Sequence, residues 1–155
     1  MGYEGLNSQQ FFHILRENGV QTIVDVRELP LSRKAGFSKA SLSQIALSYK
    51  INYIHIPSLG CPSEIRHGYK KDRNWEKYTY QYLQFLNNKQ TALLELSNII
   101  KNANCCLVCF EADANYCHRI YIAEKVSTIY NGRINITHLR MIIPTKAERP
   151  ILVPV

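Results

Sequence analysis

The stretch Thr22-Ile23-Val24-Asp25-Val26 decides how this chain folds. Four of its five residues are β-branched and turn-forming residues flank it, which is typical of a short strand buried on both faces. Upstream, Asn7 and Gln10 have the spacing of a capping box, so we expect a helix that begins there and ends near Gly19. Downstream, Pro30 ends the strand. The chain therefore begins with a helix and a buried strand.

The same alternation continues to the end of the chain. Ser38 predicts the start of a second helix, residues 51–56 predict the next strand, and the polar residues 58–74 predict a long loop. The remaining predicted elements are a helix with Trp75, Tyr78, Tyr82, Phe85 and Leu86 at helical spacing, a helix with Leu93, Leu96, Ile99 and Ile100, an apolar strand at 105–110, a helix at about 116–130, and an edge-like strand at 134–139.

Helices that separate strands throughout predict one α/β domain over residues 1–155. We expect a three-layer Rossmann-like domain with a mostly parallel sheet flanked by helices, because parallel strands need crossover connections that cover both faces. Ligands of such sheets bind beyond the carboxyl ends of the strands. The segments that follow Val24, Ile56 and Phe110 are therefore the candidates for a functional site.

Composition limits the classes of protein that this chain can be. With 155 residues, 46% of them hydrophobic, it has the size of one globular domain, and it lacks both a run of about 18 apolar residues and a signal-peptide pattern. We therefore expect a cytoplasmic protein without a membrane partner. Its five cysteines are odd in number, which favours reduced thiols over a disulfide framework. A formal charge of +7 favours a phosphorylated small molecule or a nucleic acid as partner.

Basic residues at two predicted strand ends suggest an anion site. Asp25 and Arg27 share one face of the strand, so the carboxylate either orients the guanidinium for a ligand or forms an internal ion pair with it. Arg119 lies at a predicted helix start, which is already positive, and therefore needs a negative neighbour. Glu111 and Asp113 supply that charge internally, or a phosphate supplies it externally. The candidate anion-binding residues are Asp25, Arg27, Arg33, Lys34, Cys109 and Arg119.

The same segments contain candidate catalytic residues. Cys117, beside His118 and Arg119 at a helix start, is in a setting that lowers a thiol pKa, although a buried cysteine is also common as a small apolar residue. Glu111 is the candidate acid or base, and His118 is the third candidate catalytic residue. Cys109, Cys117 and His118 resemble an incomplete zinc set, but their spacing does not match a Cys-x-x-Cys knuckle, so we predict no metal and no cofactor.

Two further segments have a functional and a structural interpretation. Glu4, within Gly2-Tyr3-Glu4-Gly5, is an acid or base candidate or part of a simple turn. In the predicted 58–74 loop, Arg66, Lys70, Lys71 and Arg73 are candidate nucleic-acid contacts. The aromatic residues that follow them fit a core-facing helical stripe better than a base-stacking surface, with Tyr69 and Tyr80 as the more exposed rings.

The chain resembles the bacterial and archaeal family known as domain of unknown function 488. The resemblance rests on residues 24–27 with Pro30, Ser32-Arg33 and Gly36-Phe37, on residues 53–57 with Leu59-Gly60, on Cys109-Phe110-Glu111 with Cys117-His118-Arg119, and on Gly2-Tyr3-Glu4-Gly5. The resemblance implies a Rossmann-like fold. It also marks seven residues as signature positions of the family: Arg27, Arg33, Cys109, Glu111, Cys117, His118 and Arg119. It supplies no activity. Members usually begin with an apolar strand before the Gly-Tyr-Glu-Gly segment; only Met1 precedes it here, so either the N-terminal strand is missing or the start site is misassigned.

Three functions are compatible with these residues. The first is an enzyme or sensor acting on a phosphorylated ligand, a nucleotide or a nucleic-acid end, with Arg27, Arg33 and Arg119 as anion clamps. The second is a non-catalytic nucleic-acid-binding module that uses residues 66–77. The third is a thiol redox or metal-binding domain.

Overall fold

A computed structural model of the chain describes residues 1–141. Its helices and strands alternate as the sequence predicts. The helices are α1 (Ser8–Glu17), α2 (Lys39–Ser48), α3 (Ser63–Asp72), α4 (Trp75–Asn87), α5 (Gln90–Asn102) and α6 (Arg119–Ile129), and the strands are β1 (Thr22–Asp25), β2 (Asn52–His55) and β3 (Cys105–Val108). The predicted single domain of residues 1–155 extends beyond the described residues, and its extent stays a prediction.

The three strands form one parallel sheet in the order β2-β1-β3. Val24 in the central strand lies opposite Ile54 of β2 and Leu107 of β3, and every residue of β1 is buried. The run of β-branched residues around Val24 therefore forms the centre of the sheet. This confirms the α/β prediction and agrees with a Rossmann-like arrangement.

Two apolar cores cover the two faces of the sheet, because successive strand residues point in opposite directions. Ile23 packs into one core with residues of α1 and α2, including Phe11 and Leu42. Val24 packs into the other core with residues of α4, α5 and α6, including Tyr82. The three-layer prediction is thus confirmed.

The N-terminus lies beside the outer edge of β3. Gly2 forms an isolated parallel bridge with Cys109, and the terminal ammonium of Met1 donates to the Leu107 carbonyl oxygen at 2.5 Å. A side chain has no room at residue 2, since a β-carbon there would fall 1.7 Å from the carbonyl oxygen of Glu111. Met1 and Gly2 therefore run where a further parallel strand would lie, and a missing first strand stays a prediction.

Two of the predicted elements are wrong. Residues 58–74 are not a long loop, because α3 occupies most of them; Ile65 and Tyr69, four residues apart, pack one face of this charged helix against the core. Residues 134–139 form no strand in the described structure. Ile134 and Leu139 instead pack onto different cores, so this segment crosses the molecule without pairing along an edge.

The last helix begins at Arg119, three residues later than predicted. A short 3-10 turn at Ala114–Tyr116 precedes it, and Cys117 is in an extended conformation between the turn and the helix. Among residues 1–141, no helix combines the length and the apolarity that a membrane span requires.

Candidate functional site

The ends of β1 and β3 and the start of α6 meet at the carboxyl edge of the sheet. The His118 Nε2 atom lies 2.9 Å from the Val26 carbonyl oxygen, which joins α6 to the end of β1. The end of β2 meets the same edge, since His55 Nε2 lies 2.9 Å from the carbonyl oxygen of Arg27. The predicted convergence of distant segments is therefore present in the structure.

Four side chains of this edge bring their donor atoms together. We call Cys109, Glu111, Cys117 and His118 the thiol cluster; their sulfur, carboxylate and imidazole atoms all lie within 4.8 Å of one another. The Cys109 and Cys117 sulfurs lie 2.8 and 3.3 Å from Glu111 Oε2, and both donate to that oxygen. His118 Nδ1 lies 3.7 Å from one sulfur and 3.8 Å from the other.

Local backbone structure explains how the cluster forms. Cys109 directly follows β3, and Glu111 stands two residues later, so both side chains reach the same side of the departing chain. After the 3-10 turn the chain is extended at Cys117. His118 follows as the N-cap residue of α6. Cys109, Cys117 and His118 are each at most 5% exposed, whereas Glu111 is partly exposed, so the sulfurs and the imidazole are shielded from water.

Hydrogen bonding determines which nitrogen of His118 faces the sulfurs. A backbone carbonyl oxygen only accepts, so Nε2 must carry the proton that is donated to Val26. In the neutral ring Nδ1 then carries a lone pair, and this lone pair is directed at the two cysteines. The ring of Tyr82 packs edge-on against the imidazole at 5.3 Å between centroids, which fixes its plane further.

The cluster separates the pKa values of its own groups. The hydrogen bond with Cys117, together with burial, raises the pKa of the Cys109 thiol well above its usual value. Burial also acts to raise the pKa of Cys117, but the hydrogen bond with Cys109 and the positive charges of His118 and Arg119 outweigh it, and the pKa falls well below its usual value.

The two remaining groups of the cluster shift upward. Burial, and then the charge of Cys117, raise the pKa of the Glu111 carboxyl. Burial acts to lower the pKa of His118, yet the neighbouring Cys117 thiolate reverses that effect and raises it. The pKa of Cys117 is thus lowered, whereas the pKa values of Cys109, Glu111 and His118 are raised.

Arg27 is a predicted anion clamp, but its guanidinium is engaged within the protein. It donates to both carboxylate oxygens of Asp25, to the Tyr3 hydroxyl and to the Phe37 carbonyl oxygen. Tyr53 donates to the same carboxylate at 2.6 Å. We call these five residues the Arg27 network. Because Arg27 is 7% exposed and Asp25 fully buried, the geometry favours the internal ion pair over a ligand site.

Arg119 is the second predicted clamp, and it is also buried. Its side chain donates to the carbonyl oxygens of Glu111 at 2.6 Å and Ala112 at 2.9 Å, and the residue is 4% exposed. It forms no ion pair with any carboxylate of residues 1–141. The predicted internal partners differ in outcome: Glu111 contributes its carbonyl group, whereas Asp113 accepts from the Asn115 amide.

The other predicted site residues lie outside the thiol cluster. Arg33 is exposed, Lys34 donates to the Tyr3 carbonyl oxygen at 3.3 Å, and Glu4 accepts from the Ala112 amide at 3.1 Å. These contacts tie the loops after β1 and β3 to the N-terminus. Glu4 and Lys34 therefore have structural partners, and their predicted roles in binding or catalysis stay predictions.

The basic residues of 66–73 lie on α3 and at its end. Arg66 pairs with Glu28 at 2.5 Å, while Lys70, Lys71 and Arg73 are exposed. The aromatic residues beside them pack on one another: Trp75 stacks on Tyr78 at 4.5 Å, and the Tyr69 ring contacts both. Tyr69 is thus half-buried, contrary to prediction, whereas Tyr80 is 66% exposed as expected.

Sequence reasoning did not identify Glu111 as the fourth member of a ligand set. The spacing of Cys109, Cys117 and His118 in the sequence does not match a zinc knuckle. The Glu111 carboxylate comes between the two sulfurs only because the chain returns from β3 to α6 in the folded protein. Tyr82 was predicted as core only, although it also contacts His118. The usable signal was the position of Cys109 and Glu111 at a strand end, with Cys117 and His118 at the next helix start.

Comparison with known proteins gives a family and no activity. A family model described as "Domain of unknown function DUF488" matches residues 7–126, which is more than half of the chain and includes the whole thiol cluster. No curated protein and no solved structure matches the chain.

Proposed function

Since the chain belongs to the DUF488 family, whose description names no activity, we propose from its geometry that the protein is a metal-binding α/β domain. The thiol cluster would hold one divalent transition-metal ion of the zinc type. The observation that carries this proposal is the convergence of two sulfurs, a carboxylate and an imidazole nitrogen within 4.8 Å in a buried place.

The donor set and its spacing suit a tetrahedral ion. Thiolate and imidazole bonds to zinc of about 2.3 and 2.0 Å place sulfur and nitrogen about 3.5 Å apart in a tetrahedron. His118 Nδ1 lies 3.7 and 3.8 Å from the two sulfurs. The Glu111 oxygen, at 2.8 and 3.3 Å from the sulfurs, would withdraw by several tenths of an ångström to admit the ion. The metal would replace the protons that now join these groups.

The surroundings of His118 also favour a metal ligand. Histidines that bind metals donate their other ring N–H to a carboxylate or a backbone carbonyl, which fixes the tautomer and the ring orientation. The contact of Nε2 with the Val26 carbonyl oxygen at 2.9 Å is of this kind. The cluster therefore has both the donors and the second contact that orients one of them.

A set of four protein ligands, three of them buried, corresponds to a structural site, because catalytic zinc sites keep a position open for water. Such an ion would join the end of β3 to the start of α6, and through His118 to the end of β1. Metal binding would then stabilise the connections at the carboxyl edge of the sheet.

The other predicted functions have less support from the described residues. A Cys117 nucleophile is 1% exposed, so a substrate would not reach it without rearrangement. A phosphate site would need Arg27 and Arg119, whose guanidinium groups donate to internal acceptors. A nucleic-acid-binding module stays a prediction. The basic residues at the end of α3 are exposed, but no specific contact of the described residues supports that role.

Cobalt substitution tests the proposal directly. Metal-free protein, prepared with a chelator under reducing conditions, should bind one equivalent of Co²⁺ with the near-ultraviolet charge-transfer absorption of cobalt thiolates and the visible bands of a tetrahedral ion. Cys117→Ser should lose most of the charge-transfer intensity and bind weakly. Cys105→Ser is the matched control, because Cys105 lies on β3 outside the cluster, and it should bind like the wild type.

Zinc should displace the cobalt and abolish these bands. The proposal fails if folded wild-type protein shows no cobalt thiolate absorption, or if Cys117→Ser and Cys105→Ser reduce that absorption equally.

A further inference from the structure

Arg119 is a buried cation for which the described residues provide no ion pair. Its side chain donates only to carbonyl oxygens, and it stands at the first turn of α6, where the helix dipole adds positive potential. A guanidinium keeps its charge at any ordinary pH. Leaving such a charge uncompensated in the protein interior is strongly destabilising. A negative group is therefore needed close to Arg119.

The proposed metal centre has that charge. Two thiolates and one carboxylate carry one negative charge more than a divalent ion neutralises, and the neutral imidazole adds none. The loaded thiol cluster would thus carry one net negative charge in a place where three of its four donor residues are buried. Arg119 directly follows two of the ligands in sequence, Cys117 and His118, and contacts the backbone of a third, Glu111.

We infer that Arg119 is the counter-charge and the positioning residue of the metal centre. This inference rests on the proposed function. The guanidinium has two effects: its charge offsets the excess negative charge of the loaded cluster, and its two N–H groups hold the carbonyl oxygens of Glu111 and Ala112. Those bonds hold the chain after Cys109 in the conformation that directs the Glu111 carboxylate to the two sulfurs.

Arg119 acts on the cluster in two physically different ways. Its N–H groups donate to two backbone carbonyl oxygens, whereas its charge is available to compensate the charge of the loaded cluster. A residue that only supported the backbone would not need to be cationic. The charge and the hydrogen bonds of Arg119 can therefore be separated by substitution.

The test measures the Co²⁺ dissociation constant of metal-free wild type, Arg119→Gln and Arg119→Lys after circular dichroism has shown that each is folded. Arg119→Gln keeps a donor for the carbonyl oxygens and loses the charge, so Co²⁺ should bind about 10–100-fold more weakly, the range typical of lost outer contacts. Arg119→Lys keeps the charge and should recover most of the affinity. Binding by Arg119→Gln within twofold of wild type would overturn the inference.

A double-mutant cycle with Glu111→Gln separates charge from architecture. Glu111→Gln makes the loaded centre neutral, so adding Arg119→Gln should weaken Co²⁺ binding less than it does in the wild type. An equal loss in both backgrounds would show a purely structural role and contradict the inference.

The outcomes for the two proposals are distinct. Absence of cobalt binding in the wild type refutes the metal centre itself, whereas cobalt binding that ignores the charge at residue 119 refutes only the role of Arg119. If Arg119→Gln does not fold, the folded Arg119→Lys variant decides: wild-type affinity supports the counter-charge, and a loss above tenfold contradicts it.

Discussion

The Arg27 network and the thiol cluster lie at the same edge of the sheet, and both bury charged or ionisable groups, but they differ in how these groups are balanced. In the Arg27 network the guanidinium meets a carboxylate, a hydroxyl and a carbonyl oxygen, and Tyr53 donates to the carboxylate. Donors and acceptors match, and the charges cancel within the protein.

The thiol cluster has the opposite balance. Two sulfurs, a carboxylate oxygen and an imidazole nitrogen lie within 4.8 Å of one another, and the neighbouring cation, Arg119, is bound to carbonyl oxygens instead of a carboxylate. Several electron-pair donors share few protons there. Burial and polarity alone therefore do not identify a functional site at this edge. The thiol cluster is the better candidate for a ligand site, because its charges and hydrogen bonds are not balanced within the protein as those of the Arg27 network are.

Removing the carboxylate of the Arg27 network should have the largest effect on stability. In Asp25→Asn the buried guanidinium loses its only ion pair in the described structure, and breaking a buried pair in this way costs about 3–5 kcal/mol. Urea denaturation should show that loss as a lower midpoint. Folded Asp25→Asn protein should still bind Co²⁺ like the wild type; a parallel loss of cobalt affinity would show that the two regions are coupled.

Metal removal should affect the thiol cluster next. An ion present at one hundred times its dissociation constant stabilises the folded state by about 2.7 kcal/mol, which corresponds to roughly 5–10 °C in the melting temperature of a domain of this size. Adding a chelator to metal-loaded wild type should lower the melting temperature by that amount. Cys117→Ser should melt at the same temperature with and without chelator, and an unchanged wild-type melting temperature would contradict the metal centre.

Tyr53→Phe should sharpen the comparison with a smaller effect. The hydroxyl donates to Asp25 at 2.6 Å, but the carboxylate keeps both bonds from Arg27, so the loss should be about 1.5 kcal/mol, the lower end of the range for a hydrogen bond to a charged group. The free energy of unfolding from urea titration measures it. A loss as large as that of Asp25→Asn would mean that the Arg27 network is less redundant than its contacts indicate.

Glu28→Gln should have the smallest effect of these changes. Glu28 pairs with Arg66 in a partly exposed position, and such pairs contribute less than about 1 kcal/mol. Urea titration should therefore give nearly the wild-type free energy of unfolding, and cobalt affinity should not change. A loss comparable to that of Tyr53→Phe would contradict the distinction between buried and exposed pairs at this edge.

Local signals in the sequence predict most of the fold. The capping box of Asn7 and Gln10 is present at α1, and the β-branched run around Val24 is the central strand. Prediction failed where local pattern and tertiary packing disagree. Helix α3 is rich in charged residues, so its composition does not indicate that Ile65 and Tyr69 pack against the core. Residues 134–139 alternate like a strand but pair with no strand in the described structure.

The position of the candidate site in the fold was predictable from the sequence, but the set of side chains that meet there was not. The rule that ligands bind at the carboxyl edge of a parallel sheet located Cys109, Glu111 and Cys117 correctly at that edge. The rule could not distinguish Arg27, which is paired with a carboxylate, from Arg119, which is not, because both are arginines near acidic residues in the sequence. Their difference depends on which acceptor each guanidinium reaches across the fold.

The sequence by itself determined most of the order of helices and strands, the parallel sheet and the edge at which reactive side chains gather, since these follow from periodicity, caps and turn residues within short stretches. Tertiary structure alone decided that Arg27 is neutralised by Asp25, that Glu111 lies between Cys109 and Cys117, and that Nδ1 of His118 faces their sulfurs. The physical reason is range: local structure depends on neighbours in the chain, whereas charge balance and ligand geometry depend on atoms that only folding brings within a few ångströms.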